Sequence, residues 1–424
     1  MQSAKQQTLP IDKLIAADYN PRKELKPGDK EYEKIKKSIS EFGFADPVVV
    51  NENTGKKDMY TIVGGHQRVT VARALGYTEV PCAIVNLDKE HEKALNVALN
   101  KITGEWNKEL LADLIMELQE ADFDTAFTGF DPPEIEQLMN SVHSKDIVED
   151  DFDVDAELEK PAVTKEGDIW LIGPHRLICG DSTKPETFER LLEGKKAGLV
   201  VTDPPYNVNY EGSAGKIKND KMAEDTFEKF LFAAFVNMEQ SMADDASIYV
   251  FHSDSHGLAF RRAFEDAGFY LSGCCIWKKQ TLVLGRSPYQ WIHEPVLYGW
   301  KKAGKHQWYA GRSETTVWEY DKPKKNDVHP TMKPINLIAY PIRNSSMSSA
   351  LVLDPFGGSG STLMACDQME RNAALCELDP KFCDVIVNRY AESKGTTEGI
   401  KLLRDGKEIP YSKLLKEIEE NTDK

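Results

Sequence analysis

The residues of this chain best suited to chemistry are Asp203-Pro204-Pro205-Tyr206, which follow the apolar run 199–202, typical of a buried strand. An amino group on a nucleic-acid base is a poor nucleophile because its lone pair is delocalised into the ring. The Asp203 carboxylate and the Pro204 carbonyl could accept hydrogen bonds from both of its N–H groups, while the prolines fix the backbone. The Tyr206 ring offers a stacking face for a base taken out of its helix. The tetrapeptide therefore predicts the transfer of a group to a base amine, with catalysis by alignment of the reactants. The alternative is that it forms only a rigid Pro-Pro turn.

A second motif, rich in glycine, follows the apolar run 351–353 and consists of Asp354, Pro355, Phe356, Gly357, Gly358, Ser359 and Gly360. Glycines let the backbone approach a ligand closely, and the helix that follows offers free N–H groups. Glu377 ends the next predicted strand, at about the spacing where an acid binds ribose hydroxyls. Asp354 would repel a pyrophosphate but favour an ammonium or a sulfonium. The order of these parts predicts an adenosine ligand with a cationic group, although a simple tight turn would also use glycine.

Alternating strands and helices must position both motifs. Apolar runs predict strands over 169–171, 199–202, 247–251, 274–277, 295–299, 351–353 and 373–377. Helical periodicity predicts helices near 224–242, 257–267, 335–343, 361–368 and 380–393. This alternation predicts an α/β fold with a doubly wound, mostly parallel, Rossmann-like sheet and a site at the carboxyl ends of its strands.

Composition restricts the class of protein. The chain has 424 residues, enough for two or three domains, and its 41% hydrophobic and 29% charged residues are ordinary for a globular protein. No apolar run is long enough to span a membrane, and the polar first residues do not resemble a signal peptide. The seven cysteines lack CxxC spacing, which indicates small buried side chains in a reducing cytoplasm. We expect a cytoplasmic protein with neither a membrane partner nor a metal site.

Charge is distributed unevenly along the chain. The net charge of −16 disfavours a nucleic-acid partner, yet residues 271–343 hold twelve Lys or Arg against five acids. Aromatic residues interleave these charges, which favours a phosphate-facing surface over a merely solvated one. The candidate DNA contacts are Lys278, Lys279, Arg286, Tyr289, Lys301, Lys302 and Arg312.

The N-terminal part has its own pattern. Helices are expected over 29–41, 69–75, 89–100, 107–120 and 135–139, and strands over 47–50, 59–63 and 80–85. The first two strands should pair across the turn at 53–55. We expect an α+β domain over 8–105, a helical extension over 106–141, an extended acidic linker over 142–165, the α/β domain over 166–395 and a C-terminal tail over 396–424.

The α/β domain resembles the amino-methylating DNA methyltransferases of the permuted kind, in which the catalytic motif precedes the cofactor loop. It looks like the beta-group adenine enzymes. The matching segments, in the family's order, are 175–182, 203–207, 277–279, 285–289, 293–295, 329–334 and the loop from Asp354.

The resemblance implies S-adenosylmethionine as methyl donor and double-stranded DNA as substrate. Asp181, with Ser182 beside it, would meet the adenine of the donor, Glu377 the ribose, and Lys333 with Thr331 the methionine end. Residues 280–325 would read the DNA sequence. In this family, Asp at position 203 is usual for methylation of adenine N6, and methylation of cytosine N4 is the alternative. A second alternative is a DNA-binding regulator with an inactive methylase domain. The sequence is also compatible with a homodimer.

Residues 8–105 resemble the ParB/sulfiredoxin superfamily through Asn20-Pro21-Arg22 and a glycine pair that opens a helix. With Arg22, the segment Gly64, Gly65, His66, Gln67 and Arg68 forms a candidate cradle for an anion or a nucleoside triphosphate. A glycine-capped turn with a structural His66 is the alternative. The sulfiredoxin cysteine is absent, and Lys101 stands where the ParB motif has arginine, which argues against CTP hydrolysis. DNA or nucleotide binding is the expected role.

Overall fold

The computed structural model of the chain forms two compact units, residues 1–144 and 145–424. It describes residues 4–23, 25–56, 58–101, 106–121, 123–142, 146–208, 211–212, 215–216, 221–283, 288–321 and 332–422. Each unit has its own apolar core.

The first unit combines a five-stranded sheet with helices. Its strands are β1 (Lys5–Pro10), β2 (Leu14–Ala16), β3 (Val48–Asn51), β4 (Tyr60–Gly64) and β5 (Glu79–Val85), in the spatial order β1-β5-β3-β4-β2. Its helices are α1 (Lys30–Phe42), α2 (His66–Ala74), α3 (Lys89–Asn100), α4 (Lys108–Glu120) and α5 (Pro132–Val142). Strands β3 and β4 pair antiparallel, as their spacing predicted. Val48, Val50 and Ile62 project from the sheet into a core closed by Val69 of α2.

The second unit is built around one large sheet. Its helices are α6 (Val154–Leu158), α7 (Pro185–Leu192), α8 (Glu224–Ser241), α9 (Gly257–Asp266), α10 (Ile335–Ser345), α11 (Ser361–Gln368), α12 (Pro380–Lys394) and α13 (Tyr411–Thr422). Its strands are β6 (Ile169–Ile172), β7 (His175–Cys179), β8 (Ala197–Thr202), β9 (Glu211–Gly212), β10 (Gly215–Lys216), β11 (Met242–Phe251), β12 (Phe269–Val283), β13 (Trp291–Lys301), β14 (Val317–Glu319), β15 (Leu351–Asp354), β16 (Asn372–Glu377), β17 (Ile400–Arg404) and β18 (Lys407–Pro410). Among the described helices, none combines the length and the apolarity needed to cross a membrane.

Eleven strands form this sheet in the order β14-β12-β13-β11-β8-β15-β16-β7-β6-β17-β18. Strands β11, β8, β15, β16 and β7 are parallel and form its centre, and most pairs on the flanks are antiparallel. Leu199 and Val201 of β8 pack into the core beneath α10, α11 and α12, whereas Val200 packs beneath α8 and α9. Burial on both faces explains the continuous apolar run of this strand. The predicted doubly wound α/β fold is confirmed, with a more mixed sheet than the sequence indicated.

The C-terminal residues extend the sheet. Strand β17 pairs antiparallel with β6 and with β18, and α13 follows. Ile400, Leu402 and Tyr411 are buried in the main core. Neither these elements nor β7, β14 and α7 were predicted from the sequence.

The acidic segment also packs against this unit. The Glu149 carboxylate accepts hydrogen bonds from the backbone N–H of Ile335, 2.9 Å, and of Asn336, 2.8 Å, at the start of α10. Phe152, Val154 and Leu158 are buried with Met332 and Val385. The apolar side chains interspersed among the acids therefore fix residues 147–158 in place, and the expectation of an extended linker overlooked them.

Asp150 of the same segment forms an ion pair with Arg389 of α12. The Arg389 side chain is 1% exposed, and its Nε and Nη2 donate to the two Asp150 oxygens over 2.7 and 3.0 Å. Arg389 Nη1 also donates to the Ser359 carbonyl over 2.9 Å. Through Arg389, the acidic segment is thereby connected to the glycine-rich loop.

We expect Asp150→Asn to lower the free energy of unfolding of the second unit by about 3 kcal/mol, because it leaves a buried guanidinium without its carboxylate. Urea denaturation followed by tryptophan fluorescence measures this, since six of the seven tryptophans lie in that unit. Asp146→Asn, which removes an exposed acid from the same segment, is the control. Equal stability of the two variants would show that the pair contributes nothing.

Candidate active site

A cavity of about 560 Å³ opens at the carboxyl ends of the central parallel strands. Parallel strands end at one edge of a sheet, so residues distant in sequence meet there. Its lining includes Asp181, Ser182, Asp203, Pro204, Pro205, Tyr206, Lys333, Asp354, Pro355, Phe356, Gly357, Gly358, Ser359 and Glu377. The structure thus brings the two sequence motifs into one site. Thr331 lies outside the described residues.

Glycine is required where the 354–360 loop enters α11. Gly360 has φ +85°, and a Cβ there would lie 3.0 Å from the side chain of Ile386. A Cβ on Gly357 would lie 3.1 Å from the same side chain. Gly360 is absent from the cavity wall, so its contribution is to shape the turn.

Asp354 holds the ends of two strands together. Its Oδ1 accepts from Thr202 Oγ1 over 2.8 Å and from the Phe356 N–H over 3.1 Å, and its Oδ2 accepts from Thr362 Oγ1 over 2.6 Å. Burial raises the pKa of Asp354 to about 7, although these hydrogen bonds oppose the shift. Both oxygens are thus bound within the protein, whereas the sequence suggested a direct role toward a cationic ligand.

Glu377 and Asp181 present the other carboxylates. Glu377 accepts from the backbone N–H of Gly358 and of Asp379, each over 2.8 Å. Burial raises the pKa of Glu377 to about 7 against these two hydrogen bonds. Asp181 Oδ1 accepts from the N–H of Thr183 over 2.9 Å and from its hydroxyl over 2.8 Å.

Ser182 is almost entirely buried beside Asp181. Its hydroxyl donates to the Pro355 carbonyl, and its own carbonyl accepts from Asn237 Nδ2 over 3.1 Å. These contacts join the loop after β7 to the glycine-rich loop, which is a structural role.

The tetrapeptide belongs to a network of charged side chains in the cavity wall, of which Lys333 is the most buried. Lys333 Nζ lies 2.6 Å from Asp203 Oδ2 and 3.2 Å from Glu294 Oε2. The Tyr206 hydroxyl donates to Asp203 Oδ1 and also lies 3.1 Å from Glu294 Oε2. Lys279 Nζ lies 2.5 Å from the other oxygen, Glu294 Oε1. Two carboxylates and two ammonium groups thus balance within the cavity wall.

This balance determines the protonation states. Burial would raise the pKa of Glu294, but Lys333 and Lys279 together lower it to about 2. Burial would lower the pKa of Lys333, but Asp203 and Glu294 raise it above its ordinary value. Burial and the same two carboxylates raise the pKa of the Tyr206 hydroxyl, which therefore stays protonated as a donor.

Lys333 and Tyr206 have different surroundings from those implied by the sequence. Lys333 was expected near a methionine end, yet its ammonium lies beside Asp203, 5.4 Å from the centre of the Tyr206 ring. The Tyr206 ring packs edge-on against Phe260. The sequence did not predict a role for Glu294, although this residue is part of the motif 293–295.

The predicted DNA contacts divide into several groups. Lys278 is half exposed and pairs with Glu319 over 2.8 Å. Tyr289 is 89% exposed, and Arg312 is also exposed. Lys279 lies inside the cavity as the partner of Glu294. Arg286 lies outside the described residues.

Lys301 and Lys302 are separated from the site. Strand β13 runs antiparallel to β11, and its pairing places Val296 opposite Phe251 but Trp300 opposite Ser247. The two lysines therefore lie at the end of the sheet away from Asp203, where Lys301 pairs with Asp244 over 3.4 Å. The sequence grouped them with the site because it does not show strand direction.

The aromatic residues of 271–343 mostly belong to the core. Trp277, Tyr309 and Trp318 are each at most 6% exposed. Tyr289 and Trp291 are exposed, and Trp291 also lines the cavity. Of the aromatic surface expected from the sequence, these two side chains are available to a partner.

The candidate cradle of the first unit lies where β4 leads into α2. Gly65 has φ +97° and precedes the helix, and a Cβ on Gly64 would lie 2.8 Å from Leu99. Arg68 Nη1 donates to Asp46 Oδ2 over 2.7 Å. This arginine therefore already has a carboxylate partner.

The remaining residues of the cradle are held by protein groups. His66 Nε2 accepts from the Ala17 N–H over 3.3 Å, and burial, with Arg22 nearby, lowers the pKa of His66 to about 4. Gln67 Nε2 donates to the Lys23 carbonyl over 3.3 Å, and Arg22 Nη1 to Asn100 Oδ1 over 3.4 Å. A neutral, hydrogen-bonded His66 is consistent with a structural role, and the nucleotide cradle stays a prediction.

Family models match three parts of this chain. A DNA methylase model matches residues 197–388, a ParB N-terminal domain model residues 1–101, and a ParB-methyltransferase HTH domain model residues 109–166. The chain therefore contains an N6/N4 DNA methylase domain, preceded by a ParB N-terminal domain and a ParB-methyltransferase HTH domain. Sequence analysis described the HTH region only as a helical extension and a linker.

Named relatives match about half of the chain. The type II methyltransferase M.HpaI of Haemophilus parainfluenzae is 23% identical over 236 residues, 50% of this chain and 73% of that protein. M.HinfI of Haemophilus influenzae is 26% identical over 254 residues, 52% and 70%. The crystal structure of the M1.HpyAVI-SAM complex is 22% identical, covers 50% of this chain and 98% of that one, and has a TM-score of 0.40.

The raised pKa of Glu377 predicts a pH dependence of stability. The folded protein retains a proton between pH 4.5 and 7 that the unfolded chain releases, so the free energy of unfolding falls as pH rises through this window. Above about pH 7 this contribution levels off. Asp354 acts in the same direction.

We expect Glu377→Gln to remove about 2 kcal/mol of the decrease in unfolding free energy between pH 5 and pH 7.5. Urea denaturation at a series of pH values measures the slope. Glu398→Gln, which removes an exposed carboxyl, should keep the wild-type slope. If Glu377→Gln kept it as well, the Glu377 carboxyl would already be ionised at low pH.

Proposed function

We propose that this DNA methyltransferase transfers a methyl group from S-adenosylmethionine to N6 of adenine within a specific sequence of double-stranded DNA. The observation that carries the proposal is that Asp203-Pro204-Pro205-Tyr206 and the glycine-rich loop line one cavity with Glu377. A group that polarises an amine and a site for the donor thus lie next to each other.

The cavity fits S-adenosylmethionine by the chemistry of its walls. Asp181 and Glu377 offer carboxylate oxygens to an amino group and to ribose hydroxyls. Val154, Phe230, Phe356 and Phe382 supply apolar surface for a flat ring. When bound, the donor would supply an electrophilic methyl group on a sulfonium. We assign its adenosine to the side of the cavity that holds Asp181 and Glu377.

The tetrapeptide prepares the acceptor. Asp203 and the Pro204 carbonyl accept hydrogen bonds from the amino group of a flipped base and draw its nitrogen toward a tetrahedral, nucleophilic geometry. The N–C bond forms as the S–C bond breaks, which leaves a neutral thioether and a positively charged nitrogen. That nitrogen then releases one proton, for which the Asp203 carboxylate is the nearest acceptor. Alignment and electrostatic support carry the catalysis.

The other regions follow from this assignment. We assign the methyltransferase to residues 166–395 and sequence recognition to 280–325, where exposed Tyr289 and Trp291 offer stacking faces. Residues 8–105 bind DNA or a nucleotide, followed by the helical extension 106–141, the acidic segment 142–165 and, after the transferase, the C-terminal part 396–424. The protein acts in the cytoplasm.

The experiment is incubation with S-adenosylmethionine labelled in its methyl group and with DNA of mixed sequence, followed by nucleoside analysis. Label in N6-methyladenine supports the proposal. Label in N4-methylcytosine would replace adenine by cytosine as the target. Donor binding without labelled DNA would favour a DNA-binding regulator with an inactive methylase domain.

We expect Asp203→Ala to lower kcat by about 100-fold or more while the Kd for S-adenosylmethionine stays within about threefold, because Asp203 acts on the acceptor. Radiometric assays and calorimetry measure the two quantities. Asp254→Ala, which removes an exposed aspartate from the same cavity, is the matched control. An unchanged kcat for Asp203→Ala would refute the assigned role.

A further inference from the structure

Both oxygens of the Asp203 carboxylate are engaged by protein donors. Oδ2 lies 2.6 Å from the Lys333 ammonium, and Oδ1 accepts from the Tyr206 hydroxyl. An amino group of a base must find acceptor capacity at the same carboxylate. A neighbouring ammonium reduces that capacity, because it draws the negative charge toward itself.

Glu294 lies within reach of the same two donors. Its Oε2 lies 3.2 Å from Lys333 Nζ and 3.1 Å from the Tyr206 hydroxyl. Each donor therefore has one acceptor on the predicted catalytic residue and another on Glu294, and Lys333 Nζ also donates to the Tyr206 hydroxyl over 3.2 Å. A small displacement of either donor would transfer its hydrogen bond without leaving it unpaired.

Glu294 is itself fixed in place. It lies on β13 opposite Trp277 of β12, and its side chain is 15% exposed. Its Oε1 is held by Lys279 over 2.5 Å, which leaves Oε2 directed at Lys333 and Tyr206. The charge of Lys279 also keeps Glu294 ionised, so that it remains an acceptor throughout the pH range of an assay.

We propose that Glu294 is a positioning residue for methyl transfer, which takes over the Lys333 ammonium and the Tyr206 hydroxyl when a base amine occupies the Asp203 carboxylate. The inference rests on the proposed function. No proton and no covalent bond is transferred to Glu294. Its effect is to leave Asp203 available as an acceptor and to keep the buried ammonium paired.

The charge of Glu294 is essential to this role. With glutamine at this position, one buried carboxylate would face two buried ammonium groups, and Lys333 would be drawn more strongly to Asp203. The acceptor strength of Asp203 would fall, while the wall around Asp181 and Glu377 would be unaffected. The defect should therefore appear in kcat and not in donor binding.

The test measures kcat and KM for wild type, Glu294→Gln, Glu294→Asp and Glu408→Gln. We expect Glu294→Gln to lower kcat roughly 10- to 100-fold with KM for S-adenosylmethionine within about threefold of wild type. Glu294→Asp keeps the charge and should give an intermediate kcat. Glu408→Gln, which breaks the exposed pair with Lys401 on the far strands β17 and β18, is the matched control and should resemble wild type.

A double variant tests whether Glu294 acts through Lys333. On a Lys333→Gln background, Glu294→Gln should lower kcat by less than about threefold, because the ammonium to be repositioned is gone. If Glu294→Gln alone does not fold, Glu294→Asp carries the test, with thermal unfolding to establish that it is folded.

Three results would overturn the inference alone: a wild-type kcat for Glu294→Gln, a parallel loss of donor affinity and thermal stability, or fully additive effects in the double variant. Wild-type protein that methylates no DNA would overturn the proposed function and this inference with it. An active wild type separates the two cases.

Discussion

The candidate site depends on the paired charges around Asp203. An ammonium taken out of water is tolerated only beside carboxylates, and Lys333 is accordingly paired with both Asp203 and Glu294. The pairing joins the end of β8, the start of α10 and strand β13. Because two carboxylates face two ammonium groups, the four charged side chains can line the same cavity.

A second set of interactions supports the opposite wall of the cavity. Arg389, almost wholly buried in α12, connects Asp150 of the acidic segment to the carbonyl of Ser359. Glu149 satisfies backbone donors at the start of α10, just after Lys333. The acidic segment, which carries much of the excess negative charge, thus stabilises both the loop for the donor and the helix next to the acceptor site. The carboxylates of Glu149 and Asp150 in this segment thus have structural partners within the second unit.

Much of the fold was predictable from local pattern. The helix expected over 361–368 is α11 as observed, and those near 224–242 and 257–267 differ from α8 and α9 by one residue. Long periodic segments are predictable because burial of one face requires the period. The short strands β7, β17 and β18 were not predicted, since their stability comes from pairing with the rest of the sheet. The burial of Phe152, Val154 and Leu158 was not predicted, because these residues lie within a run of acids. They are buried against α12 and Met332.

The sequence by itself determined the two strand-end motifs, their order and the chemistry of their residue types, because backbone restriction by proline and glycine is local. The tertiary structure decided which of the charged residues serve that chemistry. In the folded chain Lys279 lines the cavity, Lys301 lies at the far end of the sheet, and Glu294 contacts Lys333 and Tyr206. Strand direction and register set these contacts, and both depend on pairing between segments that are far apart in the chain.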